Sequence, residues 1–330
     1  CGPALLTLVD HSEGLLFDVE RELAERFPHV ALDPVLADVT RAVPTDMAFR
    51  RARPHVVFHA AAYKHVTMAE RAVCAAADAN ILGTRHAVDA ARDVGARFVL
   101  ISSDKAATPQ SVMGATKRFA EFVVLSRATA TFQPVVVRFG NVLGSSGSVL
   151  QIMRERVRQG RPLPITDPEA TRYFMTAGEA VSLVMKTELL ASRAETYWLD
   201  MGEPVRIGTL ADRLLELEAR HGFAAVPIEC IGLRDGEKLR EELTSQGLRM
   251  CPTRHRRIWV ARQRPAHADR IARSLRRITR DVVRGDAVAV LAAIESIVDD
   301  FVASPQARRC AAAQSMHARP IATARRVRTA

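Results

Sequence analysis

The residue types best suited to chemistry occur in two short segments of the chain. In the first, a hydroxyl, a carboxylate and an amine follow one another at Ser103, Asp104 and Lys105. Such groups accept and donate protons, so their combination predicts general acid and base catalysis. In the second, Met113 and Lys117 lie four residues apart and share one helix face, from which the lysine can reach a bound ligand.

Two acidic residues predict a dinucleotide site. Asp10 ends an apolar run over residues 4–9, and a carboxylate at a strand end accepts hydrogen bonds from the ribose hydroxyls of a dinucleotide. It favours NAD over NADP because it repels the 2′-phosphate of NADP. Asp38 is a similar candidate for the adenine side.

A third candidate segment combines small and polar residues. Small side chains at a strand end let a flat ligand approach the backbone, and polar groups directly after them fix its orientation. The predicted cofactor contacts are Ala60, Ala61 and Ala62, and the predicted substrate contacts are Tyr63, Lys64 and His65.

Short apolar runs typical of strands alternate with longer helical patterns. The strand patterns cover residues 4–9, 55–61, 98–102 and 134–139, and the helical patterns cover residues 13–27, 68–94 and 112–129. Strands separated by helices of this length form parallel βαβ units. The sequence therefore predicts an α/β fold with a Rossmann-like doubly wound parallel sheet, whose ligand crevice lies at the carboxyl ends of the strands.

We expect four regions along the chain. Residues 1–140 form an NAD-binding Rossmann-like domain. Residues 141–260, where Gly, Ser and Pro interrupt the pattern, form a smaller substrate-binding lobe that also returns elements to the sheet. Residues 261–303 form a helical end, and residues 304–330, rich in Ala and Arg without periodicity, form a disordered basic tail.

The glycine-rich loop that binds the dinucleotide phosphates in such folds is absent from the sequence. A strand, a GxxGxxG turn and a helix occupy about 30 residues ahead of the ribose-binding carboxylate. Asp10 lies too close to the first residue, Cys1, for them. We therefore expect an N-terminally truncated domain that lacks its first strand and this loop and exposes apolar strand edges.

Composition restricts the class of protein. Of the 330 residues, 48% are hydrophobic and 25% are charged, which is typical of soluble globular proteins. No apolar run approaches the roughly 18 residues of a membrane-spanning helix. The five cysteines are scattered, which predicts a reducing compartment and no metal site.

The net charge of +10 belongs to the C-terminal quarter of the chain. Residues 254–280 contain ten arginines and one aspartate, and residues 304–330 contain six arginines and no acid. The main body is close to neutral, the chain has three tyrosines and two tryptophans, and no nucleic-acid-binding motif is present. We therefore expect no nucleic-acid partner.

Eight longer segments carry a combined signal. They are HAAAYKHV (59–66), NILGT (80–84), LISSDKA (100–106), VMGATKR (112–118), VRFGNVLGSSGSV (137–149), TRYFMT (171–176), LDMGEP (199–204) and GLRDGEKLREEL (232–243). In this order they resemble the CapD-like polysaccharide-biosynthesis family, whose members are extended short-chain dehydrogenases that act as UDP-N-acetylglucosamine 4,6-dehydratases. The resemblance covers about residues 4–260, and one branch of the family carries methionine where other short-chain dehydrogenases carry the tyrosine of Tyr-x-x-x-Lys.

The resemblance implies further site residues and partners. For NAD it implies Asn80 and Lys117. The implied partners are UDP-N-acetylglucosamine and further copies of the chain in a homo-oligomer. The implied location is the cytoplasm, or the cytoplasmic face of the inner membrane through a region outside this sequence. The implied substrate site, in which the two arginines bind the diphosphate, comprises Asn141, Ser148, Arg172, Arg234 and Glu237.

The implied reaction is an internal redox elimination. NAD takes a hydride from sugar carbon 4, the ketone acidifies the carbon-5 proton, water leaves from carbon 6, and the hydride returns to carbon 6. Ser103 hydrogen-bonds the carbon-4 oxygen and Asp104 protonates the departing hydroxyl. Lys105 removes the carbon-5 proton if burial or Lys117 lowers its pKa. The roles of Asp104 and Lys105 are exchangeable at this stage.

Two other functions remain open from the sequence. The chain is a catalytically impaired fragment of such an enzyme if the missing strand and loop are required to hold NAD. It is a nucleotide-sugar 4-epimerase if it inverts carbon 4 without eliminating water. That chemistry usually relies on the tyrosine replaced by Met113, and it does not require the pair Asp104 and Lys105.

Overall fold

The computed structural model describes residues 2–145, 147–243, 249–262 and 268–316. These residues form fourteen strands and twelve α-helices. The strands are β1 (Leu5–Asp10), β2 (Ala31–Leu36), β3 (Val56–His59), β4 (Arg97–Ile101), β5 (Val135–Arg138), β6 (Asn141–Leu143), β7 (Leu163–Ile165), β8 (Thr171–Arg172), β9 (Phe174–Thr176), β10 (Thr196–Leu199), β11 (Val205–Arg206), β12 (Ile228–Cys230), β13 (Arg249–Pro252) and β14 (Ile258–Arg262).

The helices lie mostly between these strands. Two short turns of other helix types add to them, a π-helical turn over Asp78–Gly83 and a 3-10 turn over Asp104–Ala106. The α-helices are α1 (Glu13–Arg26), α2 (Ala42–Ala52), α3 (Val66–Arg71), α4 (Val73–Ala77), α5 (Thr84–Asp93), α6 (Val112–Leu125), α7 (Val149–Arg158), α8 (Ala177–Leu190), α9 (Ile207–Arg220), α10 (Ala268–Arg284), α11 (Ala287–Glu295) and α12 (Pro305–Met316).

Six strands form the main sheet, in the order β13-β14-β10-β5-β4-β3. The pairings among β3, β4, β5 and β10 are parallel, and β14 and β13 add to them in antiparallel pairs. Helices connect the parallel strands, as required by their direction. The predicted α/β fold with a parallel sheet is confirmed.

Helices cover both faces of this sheet. On one face, α3 to α6 pack with α10, α11 and α12 in a continuous core that includes Phe98, Phe119 and Ile278. On the other face, α8 packs over a second core that includes Val137 and Trp198. Because the central strands are covered on both sides, β5 is buried at every position and does not alternate, with three valines followed by Arg138.

The smaller lobe has an apolar cluster of its own. It joins α7 and α9 to β7 through Met153, Leu163 and Leu214. β6 pairs with β9 and β8 pairs with β11 in two further two-stranded sheets. β10 and β14 return from this half of the chain to the main sheet beside β5.

β1 and β2 form a separate, two-stranded parallel sheet. Among the described residues, β1 pairs only with β2 and β3 pairs only with β4, so each presents an unpaired edge. Apolar side chains on both strands are open to solvent, with Leu5 49% and Phe58 39% exposed. The small sheet is attached through α2, which packs against α5, and His86 Nδ1 lies 3.1 Å from the carbonyl oxygen of Val39.

The prediction of one continuous helix over residues 68–94 is wrong. α3 ends where Ala72 leaves the helical conformation, with φ −133° and ψ 63°. The π-helical turn then separates α4 from α5. Such a turn rotates the side chains around it and is frequent at functional sites. Here it directs Asn80 to the backbone of Tyr63.

The prediction of a disordered tail over residues 304–330 is wrong for residues 305–316, which form α12. Ala307 and Ala311 lie one turn apart, and both are fully buried in the core shared with α3 and α4. Two small side chains make a narrow apolar face, which periodicity in the sequence does not reveal. Residues 317–330 lie outside the described residues.

Hydrogen bonds connect the start of α12 to the centre of the molecule. Ser304 Oγ donates to Glu70 Oε2 at 2.5 Å, and the other oxygen of Glu70 accepts the amide of Val112, the first residue of α6, at 2.7 Å. The amide of Gln306 donates to Asp235 Oδ2 at 2.9 Å. The C-terminal helix therefore fixes both α6 and the segment around residue 235.

Replacing Ala311 with Asp tests the packing of α12. The added carboxylate would have no partner in this fully buried position, so we expect the free energy of unfolding to fall by about 2–4 kcal/mol in urea denaturation. Ala312→Asp, on the exposed side of the same turn, is the matched control and should change it by less than about 0.5 kcal/mol. Equal losses in the two variants would contradict the buried position of Ala311.

Candidate active site

The chain turns sharply at the carboxyl end of β4. The amide of Asp104 donates to the carbonyl of Phe139 at 3.0 Å, which fixes the 3-10 turn against the end of β5. Ser103 begins this turn, and its hydroxyl donates to Asp104 Oδ1 at 2.9 Å. The predicted catalytic residues are thus held at the carboxyl end of a parallel strand, where ligands bind in doubly wound sheets.

Asp104 and Lys105 form a close ion pair. Lys105 Nζ lies 3.0 Å from Asp104 Oδ1, and the same oxygen accepts the backbone amide of Lys105 at 2.8 Å. The other oxygen, Oδ2, is buried and has no hydrogen-bond partner among the described residues. A buried carboxylate oxygen without a partner is costly, so Oδ2 is suited to accept a group of a ligand.

Gly140 leaves space beside this oxygen. A β-carbon at position 140 would lie 3.1 Å from Asp104 Oδ2 and 2.9 Å from both Met201 Sδ and the carbonyl oxygen of Tyr173. Any side chain here would press on the carboxylate. The glycine therefore keeps Oδ2 unobstructed on this side.

Glu241, which no sequence pattern predicted, completes the cluster. Its side chain is 5% exposed, and its Oε1 lies 3.4 Å from Lys105 Nζ and 3.7 Å from Arg172 Nε. A bridge between the backbones of Thr171 and Arg240 brings this segment to the site.

The charges around Lys105 determine its protonation. Burial alone lowers the pKa of Lys105, but the carboxylates of Asp104 and Glu241 outweigh burial, and the pKa lies above the ordinary lysine value. The condition expected for Lys105 as a base, a lowered pKa, is therefore not met. At neutral pH Lys105 is an ammonium ion, which donates a proton.

Lys117 has the opposite environment. α6 carries Met113 and Lys117 to the end of β4, where Lys117 Nζ donates to the carbonyl of Ile101 at 2.6 Å. Burial lowers the pKa of Lys117 to about 8, although the nearby Glu121 opposes the shift. Met113 is buried and has no proton to transfer.

The close approach of α6 depends on Gly114. A β-carbon at this position would collide with the carbonyl oxygen of Lys105 and would crowd the ring of Pro109. Glycine therefore allows the backbone of α6 to touch the turn that carries the acid–base pair.

A buried ion pair between Glu121 and Arg138 holds together the elements that carry the site. Glu121 of α6 accepts hydrogen bonds from Arg138 Nη2 at 2.5 Å, from Arg138 Nε at 2.7 Å and from Ser102 Oγ at 2.6 Å. Burial alone raises the pKa of Glu121, but the positive charges of Arg138 and Arg118 hold it below its usual range, so the carboxylate stays ionised. The contacts join α6 to the ends of β4 and β5.

Asn80, predicted to bind NAD, bonds to protein groups. Its Oδ1 accepts the amide of Tyr63 at 2.7 Å, and its Nδ2 donates to the Tyr63 carbonyl at 3.1 Å and to Thr116 Oγ1 at 3.0 Å. Asn80 therefore holds the segment after β3, which includes residues 60–62, against α6. These contacts suit a residue that positions a ligand-binding segment.

The two predicted ribose-binding carboxylates lie on the separate β1–β2 sheet. Asp10 Oδ1 accepts the amide of Ser12 at 2.8 Å, and Asp38 Oδ1 accepts the amide of Thr40 at 2.9 Å. Burial alone raises the pKa of Asp38, but the hydrogen bonds from Thr40 and nearby positive charges hold it below its ordinary value. Asp38 is thus ionised at neutral pH.

The residues present fit part of a dinucleotide. The carboxylates on the β1–β2 sheet and Lys117 beside β4 suit its two riboses. The chain contains no GxxGxxG or GxGxxG sequence for the diphosphate. Its one glycine-rich stretch, around Gly144 and Gly147, follows β6 and lies beside His65.

Several predicted substrate residues meet at this glycine-rich stretch. A β-carbon at Gly147 would lie 3.0 Å from His65 Cε1, so the ring packs closely on the loop. Ser148 Oγ is buried and has no partner within the part of the chain described. Tyr63 is 50% exposed and Lys64 is exposed, next to His65 on the same segment.

Three other predicted substrate residues are Asn141, Arg234 and Glu237. Asn141 Nδ2 donates to the carbonyl of Tyr173 at 3.4 Å. Glu237 Oε2 accepts the amide of Arg234 at 3.1 Å and closes a turn that leaves Arg234 exposed. This turn therefore fixes the backbone position from which the Arg234 side chain extends.

Arg172, predicted to bind the diphosphate, is occupied by protein groups. Its Nη1 donates to the carbonyls of Thr171 at 2.8 Å and Leu239 at 3.3 Å, and its Nη2 donates to the carbonyl of Lys238 at 2.8 Å. Its side chain is 13% exposed. Arg172 therefore fastens the segment 238–241 to β8, and its orientation does not support a diphosphate contact.

The scarcity of lysine is a sequence signal that points to this region. Only five of the 47 basic residues are lysines, and Lys186 on α8 is the one outside the candidate site segments. Arginine keeps its proton in proteins, whereas a buried lysine can lose one. Lysines in an arginine-rich chain therefore mark positions where a proton can move. The other four are Lys64, Lys105, Lys117 and Lys238.

Solved structures share this fold. Pen from Bacillus thuringiensis superposes with a TM-score of 0.71 at 27% identity over 78% of this chain and 80% of its own. DesIV, a dTDP-glucose 4,6-dehydratase from Streptomyces venezuelae with NAD and TYD bound, superposes with a TM-score of 0.63 at 19% identity over 74% and 80%. This chain therefore has the α/β fold of these two proteins, with a Rossmann-like parallel sheet.

The family model described as "Polysaccharide biosynthesis protein" matches residues 1–263, and the chain belongs to this family. It is 43% identical over 247 residues to the probable polysaccharide biosynthesis protein EpsC of Bacillus subtilis and 40% identical over 248 residues to the capsular polysaccharide biosynthesis protein CapD of Staphylococcus aureus. Each match covers 74% of this chain and 41% of the relative. No helix in the described part of the chain is long and apolar enough to cross a membrane.

The lowered pKa of Lys117 predicts a pH-dependent stability. Between about pH 8 and the ordinary value of 10.5, the unfolded chain holds a proton on Lys117 that the folded chain has released. The free energy of unfolding therefore rises with pH over this range, by on the order of 1–3 kcal/mol from this group. Urea unfolding between pH 7.5 and 10 should show a smaller rise for Lys117→Met than for the parent chain.

Lys186→Met is the matched control for this measurement, because Lys186 is exposed on α8. It should retain the pH-dependent rise. A Lys117→Met variant with the same pH dependence as the parent chain would contradict the lowered pKa.

Proposed function

We propose that this chain carries the acid–base residues of a nucleotide-sugar 4,6-dehydratase, which converts UDP-N-acetylglucosamine to a UDP-4-keto-6-deoxy-N-acetylhexosamine for surface polysaccharide biosynthesis. The observation that carries the proposal is the contact between Asp104 and Lys105 at the end of β4. Elimination of water needs a proton acceptor and a proton donor in one place, and this pair supplies both. A 4-epimerase needs no such pair.

In this proposal Lys105 is the acid and Asp104 is the base. Lys105 has a raised pKa, so its ammonium group protonates the hydroxyl that leaves carbon 6. The unpartnered Oδ2 of Asp104 accepts the carbon-5 proton and returns it to carbon 5 when the hydride adds to carbon 6. Ser103 Oγ, which already bonds to Asp104, binds the carbon-4 oxygen, whose hydroxyl proton passes to solvent when carbon 4 is oxidised. A proton from solvent restores the ammonium group of Lys105 after water has left.

The cofactor and substrate contacts follow from the same placement. NAD, when bound, accepts the hydride from carbon 4 and returns it to carbon 6. Lys117 and the carboxylates of Asp10 and Asp38 are the residues that would hold its riboses. On the substrate side, the exposed Arg234 is suited to the diphosphate, and Ser148 Oγ offers a hydroxyl without a partner among the described residues.

The acid–base assignment can be tested without NAD. The chain should catalyse exchange of the carbon-5 proton of UDP-4-keto-6-deoxy-N-acetylhexosamine with D2O, which NMR follows directly. Asp104→Asn should slow this exchange by about 10²–10⁴-fold, because a positioned base contributes about that much. Lys105→Met should retain the exchange to within about tenfold, since the acid acts only when the hydroxyl leaves.

Lys186→Met, remote from the site on α8, should exchange as the parent chain does. If Lys105→Met abolishes exchange while Asp104→Asn retains it, Lys105 is the base and Asp104 the acid. If the parent chain shows no exchange, the proposed acid–base function is wrong.

The overall reaction is tested with NAD and UDP-N-acetylglucosamine. We expect a product lighter by one water, which mass spectrometry distinguishes from a 4-epimer because the epimer has the mass of the substrate. Ser103→Ala should lower the rate of formation by about 10–100-fold, because one hydrogen bond to the reacting oxygen is lost. An epimer as the product would contradict the dehydratase proposal, and carbon-5 exchange without turnover would support the alternative of an impaired fragment.

A further inference from the structure

Four side chains form a row of alternating charge that runs from the smaller lobe to the acid–base pair. Arg172 Nε lies 3.7 Å from Glu241 Oε1, this oxygen lies 3.4 Å from Lys105 Nζ, and Lys105 Nζ lies 3.0 Å from Asp104 Oδ1. The side chains of Arg172, Glu241 and Asp104 are 13%, 5% and 0% exposed. Charges sheltered to this degree are weakly screened by salt.

We propose that Glu241 is a positioning residue that holds the ammonium group of Lys105 toward the reacting sugar, and that Arg172 holds Glu241 in place. Neither residue touches the reacting atoms. The inference rests on the acid role proposed for Lys105 and names the residues that hold its ammonium group in position.

Hydrogen bonds to the backbone place Glu241 beside Lys105. Arg172 donates three hydrogen bonds to carbonyls of residues 171, 238 and 239. The bridge between Thr171 and Arg240 places Glu241 directly after a paired position. Because the segment is fastened on the side of β8, the carboxylate reaches Lys105 without a rearrangement of the chain.

The charges that face Lys105 act in opposite directions. Asp104 and Glu241 favour its ammonium form, whereas Arg172 disfavours it. Removing the charge of Glu241 should therefore make the amine of Lys105 more available. Removing Arg172 takes away a charge that disfavours the ammonium form but also releases Glu241, so it should make the amine more available to a smaller extent. In Glu241→Gln, a general loosening of the segment would also expose Lys238, which lies on it.

Competitive labelling with acetic anhydride separates these outcomes, because the reagent modifies only the unprotonated amine. The chain has five lysines, so peptide mass spectrometry resolves each of them, and Lys186 serves as the internal reference. At pH 8, Glu241→Gln should label Lys105 about three- to tenfold faster than the parent chain. Arg172→Gln should label it faster by a smaller factor, about two- to threefold, because Glu241 loses its anchor.

Two further variants complete the test. Glu242→Gln is the matched control, because Glu242 is exposed and its Oε2 accepts a hydrogen bond from Thr108, so labelling should stay within about twofold. Glu241→Asp keeps the charge and should restore most of the protection of Lys105. No change at Lys105 in Glu241→Gln, an equal acceleration at Lys238 in that variant, or slower labelling of Lys105 in Arg172→Gln would overturn the proposal.

The labelling uses neither NAD nor sugar nucleotide. Its failure would therefore leave the carbon-5 exchange and the dehydration product as evidence for the proposed function. In the converse case, the expected labelling without exchange or turnover would retain the positioning role of Glu241 and reject the reaction proposed for Lys105.

Discussion

The buried ion pair between Glu121 and Arg138 is the interaction on which the site depends. Both side chains are completely excluded from solvent. Removing one partner would leave an uncompensated charge in the interior, at a cost of about 3–5 kcal/mol. Because Glu121 lies on α6, Arg138 ends β5 and Ser102 follows β4, these hydrogen bonds fix three elements relative to one another. Arg138 also lies over the ring of Trp198 on β10, at 5.4 Å.

This rigid support allows two lysines to be placed in opposite electrostatic environments. Lys117 faces a backbone carbonyl in a buried position, and its pKa is lowered to about 8. Lys105 faces two carboxylates, and its pKa is raised. Titratable groups whose environments separate their pKa values are characteristic of acid–base sites. An arginine at position 117 would remain charged and would remove this difference.

Local patterns predicted the strands because a strand is a local property of the chain. The ends of β1, β3, β4 and β5 lie within one or two residues of the predicted runs, and the three residues with predicted catalytic roles follow the carboxyl end of β4. The break at Ala72 was missed because an alanine-rich segment has no residue that ends a helix.

The positions of Glu241 and Arg172 were not predicted because they depend on contacts between distant segments. Glu241 reaches Lys105 only because Arg240 pairs with Thr171, and a contact between such distant residues has no local periodicity. Arg172 has the residue type expected of a diphosphate ligand, but backbone carbonyls of another segment occupy its donors. Both results depend on which segments meet, which no single segment specifies.

The two hydrogen bonds of Glu70 become possible at different times during the synthesis of this protein. One of its oxygens accepts the amide at the start of α6, and the other accepts Ser304, which is 234 residues further along the chain. During translation the first bond can form long before the second, because domains begin to fold from the N-terminal side. Until the ribosome has released Ser304 and the helix that follows it, the carboxylate that holds the start of α6 has only one of these two hydrogen bonds.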